Sequence, residues 1–82
     1  MNKFAKIFET DIGQIVAMRQ DENGEIQIVY YFLSYIENLG LCRLHVSFFT
    51  KEDADKKFNM LTSESVHSFL IKETSDIFNS QL

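Results

Sequence analysis

The chain has 82 residues, of which 45% are hydrophobic, 13% aromatic and 24% charged, with eight basic against twelve acidic side chains and a net charge of −4. That length suits one domain (residues 1–82), and the aromatic content excludes a disordered tail. A lone cysteine excludes a disulfide scaffold, and the longest apolar run, Ile28 to Leu33, is far short of the roughly 18 residues that span a bilayer.

Reading along the chain, Lys3 to Glu9 is predicted as the first strand, and Asp11-Ile12-Gly13 as a tight turn in which glycine takes positive φ without steric cost. Gln14 to Gln20 is the second strand. Asn23-Gly24 then signals a hairpin, since a type I′ turn needs positive φ at both central residues. Glu25 to Ser34 is the third strand, Ile36 to Gly40 a turn, and Leu41 to Phe49 the fourth strand.

The period then changes from two to 3.6. Thr50 is a good N-cap, Glu52 and Asp53 follow in the first turn, and Phe49 with Ala54 has the spacing of a hydrophobic staple. A helix over 51–61 follows. Thr62 repeats the signal, with Glu64 in the first turn and Leu61 with Val66 as a second staple. This second helix is expected to end near Lys72, because Glu73 falls on its apolar face, with Ile77 and Phe78 docking a last turn. Val66, Ser68, Leu70 and Lys72 also alternate as a strand would, but the capping pattern favours helix. The expected fold is α+β: a four-stranded antiparallel β-meander in the order 1-2-3-4, followed by two short helices packed on one face.

No motif for catalysis stands out. Cys42 and His45 lie three apart on a strand, so they point to opposite faces and cannot act as nucleophile and base. Cys42 reads instead as a small core hydrophobe, and His67 as a helix-surface imidazole. The oxygens of Asp21 to Glu25 are explained by the hairpin and lack the ligand ladder of a calcium loop. Tyr30, Tyr31 and Phe32 lack the basic neighbours of a base-stacking platform, with Arg19 and Arg43 the only strand candidates. No cofactor, metal or nucleic acid is expected, and the reading is non-enzymatic. A lone cysteine and an N-terminus without a signal-peptide pattern or membrane span suggest the cytoplasm.

The informative feature is pairing across the Asn-Gly hairpin. A two- or four-residue loop leaves the same residues on each face, because the register moves by two. One face carries Ile15, Ala17, Ile26, Ile28, Tyr30 and Phe32. The other carries Val16, Met18, Val29, Tyr31 and Leu33, with Gln20 and Gln27 towards the hairpin tip. Two short helices do not cover two apolar faces, so either the C-terminal segment wraps round or a second chain covers the other face. The functional expectation is a small protein-interaction or regulatory domain, probing a homodimer through Val16, Met18, Val29, Tyr31 and Leu33, with Tyr31 as anchor. The alternative is a small-ligand-binding domain or enzyme accessory subunit with its pocket between sheet and helices.

Overall fold

The computed structural model describes residues 4–33 and 40–80, with side chains described for 5–33 and 40–75. It has strands β1 (Phe4–Thr10), β2 (Gly13–Glu22), β3 (Glu25–Leu33) and β4 (Leu41–Phe48), then helices α1 (Lys51–Asn59) and α2 (Ser63–Ser80). The strands form one antiparallel sheet in the order β1-β2-β3-β4. The expected turn over 36–39 lies outside the described residues.

Two turns set the register. Thr10 pairs with Gly13, and the Thr10 hydroxyl closes the loop by accepting from the Ile12 N–H at 3.2 Å and donating to the Gly13 carbonyl at 2.7 Å. Glu22 pairs with Glu25, so Asn23-Gly24 is a two-residue hairpin loop. Its φ values of 54° and 80° are those of a type I′ turn, whose twist matches that of the flanking strands.

The inner sheet face carries Phe8, Ile15, Ala17, Ile28, Tyr30 and Phe32, and both helices pack on it through Phe58, Leu61, Val66 and Leu70. The α1 cap forms as expected, the Thr50 hydroxyl accepting from the Asp53 N–H at 3.1 Å. At the other end of α1, the Lys6 ammonium donates to the Phe58 carbonyl at 3.0 Å, a cation meeting the negative end of the helix dipole. The α2 cap is reciprocal. The Thr62 hydroxyl accepts from the Ser65 N–H at 3.1 Å, while the Ser65 hydroxyl accepts from the Thr62 N–H at 3.0 Å. Ser65 thus stands where a capping box usually has Glu or Gln. Thr62→Ala is expected to cost about 1 kcal/mol; urea denaturation checks this, and an unchanged midpoint would deny the cap.

Two expectations are corrected. The staple at α1 does not form, because Phe48 takes the inward position at the end of β4 and Phe49 is left 100% exposed. Nor is α2 short: it runs eighteen residues without a break at Glu73. Its buried line follows Val66, Leu70 and Thr74 at four-residue spacing, and Glu73 is half-buried beside that line. Thr74 takes the core position and donates its hydroxyl to the Leu70 carbonyl at 2.7 Å, which satisfies it without leaving the helix. The side chains of Ile77 and Phe78 lie outside the described residues.

Candidate functional site: the open face of the sheet

With both helices on the inner face, the outer face has no second layer among the described residues. Register places Ala5, Met18, Val29 and His45 in one row across it, and Ile7, Val16, Tyr31 and Arg43 in the next. Leu33 and Leu41 pair at one corner, while Gln20, Gln27 and Ser47 lie towards the hairpin, with Glu22 and Glu25 at its tip. The centre is therefore apolar and the margins are polar. All five residues expected from the hairpin, Val16, Met18, Val29, Tyr31 and Leu33, share this face.

Their exposure differs. Val29 is 0% exposed, enclosed by its own neighbours in the sheet, and Val16, Met18 and Tyr31 are half-buried. The exposed apolar surface is carried by Leu33 at 68%, and by Ile7 and Leu41 at 64% and 71%. Ile7 and Leu41 escape a reading centred on the β2–β3 hairpin. The two-residue loop before Gly13 is the local signal for Ile7, which pairs with Val16. Tyr31 keeps an apolar body on the face while its hydroxyl accepts from Arg43 Nε at 3.4 Å. Arg43 also reaches Glu22 at 3.3 Å. At the hairpin end, Gln27 donates to Glu25 Oε2 at 2.6 Å, which fixes its amide orientation and leaves the buried Oε1 with no donor. A shallow depression there, between Gln27, Tyr31, Arg43 and His45, is open to solvent and polar.

The remaining candidates separate. Cys42 pairs with Phe32 on the inner face and His45 with Val29 on the outer, so the sheet stands between thiol and imidazole. Cys42 packs against the core cluster. His67 is half-buried on α2. Among the described residues, no group of three metal-ligating side chains converges. Tyr30 and Phe32 are buried on the inner face, leaving Tyr31 alone outside, so the three aromatics form no common platform.

Arg19 has a role its sequence context does not show. It is 5% exposed, with Nε donating to Asp55 at 2.8 Å and Nη1 to Asp21 at 2.7 Å. Burial opposes its charge, but bonds to Asp21 and Asp55 raise its pKa above the usual arginine value. The same pairing, chiefly the hydrogen bond from Arg19, lowers that of Asp21 below the ordinary carboxylate range. The cluster pins α1 to β2 and is structural.

The fold and this face define a class: an α+β meander with one helix layer and one bare sheet face. No family model matches the chain, and no curated protein or solved structure shows significant similarity to it. No helix among the described residues is long and apolar enough to cross a membrane.

Proposed function

We propose that the chain is a small non-catalytic protein-interaction domain that pairs with a second copy of itself through the open sheet face. The observation that carries this reading is the apolar centre of that face, continuous from Ile7 through Val16, Met18 and Tyr31 to Leu33 and Leu41, with both helices on the opposite side. Contiguous exposed apolar surface is uncommon on soluble monomers and marks interfaces. The rim carries both signs, Glu9, Glu22 and Glu25 with Arg43, as a face that meets its own copy requires. Sheets pack face to face at about 10 Å, burying such a centre between them. A small-ligand domain is less well supported: the groove between sheet and helices holds about 180 Å³, against roughly 300–1,000 Å³ for ligand pockets.

Val29 is enclosed within the monomer, so a charge there tests folding as much as association. Ile7 and Leu41 are the better probes. The double variant Ile7→Glu/Leu41→Glu is expected to weaken self-association at least about a hundredfold, because two carboxylates would be desolvated on pairing. Sedimentation velocity should show a dimer for the wild type and a monomer with the same far-UV spectrum for the variant. A wild type monomeric at high micromolar concentration, or a variant that still dimerises, contradicts the proposal.

A further inference from the structure

The two edges of the sheet are treated differently. Along β1, α2 packs against the strand, and the inward Lys6 is tied to the end of α1. An inward charge and a covering helix are common protections of a sheet edge. β4 has neither. Its pairing with β3 runs unbroken from Leu41 to Phe48, it has no proline, and its inward side chains Cys42, Leu44, Val46 and Phe48 are all apolar and half-buried. Beside it lies a groove of about 180 Å³ floored by Tyr30, Val46 and Phe48 and walled by α2 residues such as Phe69. The only charged side chain lining this groove among the described residues is Lys57.

Charge decides the occupant. In a chain with four more acidic than basic side chains, β4 itself contains no acid; its polar side chains are Arg43, His45 and Ser47. A second copy pairing antiparallel through this edge would set Arg43 against His45, or His45 against itself, with no carboxylate on the strand to balance them. An open strand edge beside an apolar groove is the geometry by which extended peptides add to a sheet, main-chain bonds giving affinity and alternate side chains giving specificity. We propose that this corner docks an extended acidic segment of another protein. The segment adds to β4 as a fifth strand, seats an apolar side chain in the groove, and places carboxylates at Lys57 and along the Arg43 side. This site lies across the sheet from the self-association face and does not depend on it.

The probe is a short fluorescein-labelled peptide of alternating glutamate and valine, titrated by anisotropy against the full chain, with a lysine–valine peptide as control. Saturable binding of the acidic peptide below about 1 mM is expected, with none for the lysine form. Lys57→Glu, a change at an exposed position, should weaken it at least about fivefold. N-methylation of alternate peptide residues should abolish binding in one of its two phases, since that phase removes the amides that bond to β4. Ile7→Glu/Leu41→Glu should leave the affinity unchanged. No binding, equal binding of the two peptides, indifference to Lys57→Glu or to N-methylation in both phases, or loss in the open-face variant would each overturn the proposal.

Discussion

Leu70→Ala is expected to lower folding stability by about 3 kcal/mol, within the roughly 2–5 kcal/mol that such truncations cost in well-packed cores. Leu70 is fully buried in the cluster that joins α2 to Ile15, Ile28 and Tyr30. An 82-residue domain has on the order of 5–10 kcal/mol in total. The variant should thus lose a third or more of its margin, and its urea midpoint should fall accordingly. Ser68→Ala, at an exposed position two residues away on the same helix, should stay within about 0.5 kcal/mol of wild type. Equal effects at the two positions would mean that α2 is not docked as described.

The second large effect is at Arg19. Arg19→Ala removes a buried cation and its packing between β2 and α1, and is expected to cost about 2 kcal/mol. The figure lies below the roughly 3–5 kcal/mol of a fully buried pair, because Asp21 and Asp55 are 40% and 53% exposed and regain water. Arg19→Met keeps much of the volume and should recover most of the loss, as apolar replacements of buried ion pairs often do. If Met is as damaging as Ala, the charges rather than the packing hold α1 in place. The pair also sets an acid limb. Because the folded pKa of Asp21 is depressed, its contribution is complete above the ordinary carboxylate value and is lost as pH falls towards the depressed one. Thermal midpoints of Asp21→Asn measured down through that range should fall less steeply than those of wild type.

Much of the fold was legible because its signals are local. Asn23-Gly24 specifies the hairpin, strand parity separates the two faces at any loop length, and threonines at 50 and 62 start the helices. The five face residues followed from parity alone. What was not legible depends on contacts between distant residues. Glu73 looked like a stop because the apolar line was taken to include its position, whereas the packed line passes through Thr74, whose hydroxyl is satisfied within the helix. Phe49 looked like a staple because sequence spacing does not show that Phe48 takes the inward position. Arg19 and Asp55 are 36 residues apart, so nothing in either neighbourhood announces the pair. Leu41 joins the open face through its pairing with Leu33, which rests on the β3–β4 register.

The measurement that bears most directly on the open face is an isotope-filtered nuclear Overhauser experiment on a mixture of labelled and unlabelled chains. Packing of the face on its own copy predicts intermolecular cross-peaks at the methyl groups of Ile7, Val16, Met18, Leu33 and Leu41, and none at Leu44 or Val46 on the other side of the sheet. Intermolecular cross-peaks confined to Leu44 and Val46, or no intermolecular cross-peaks at the concentrations of the experiment, would contradict the account.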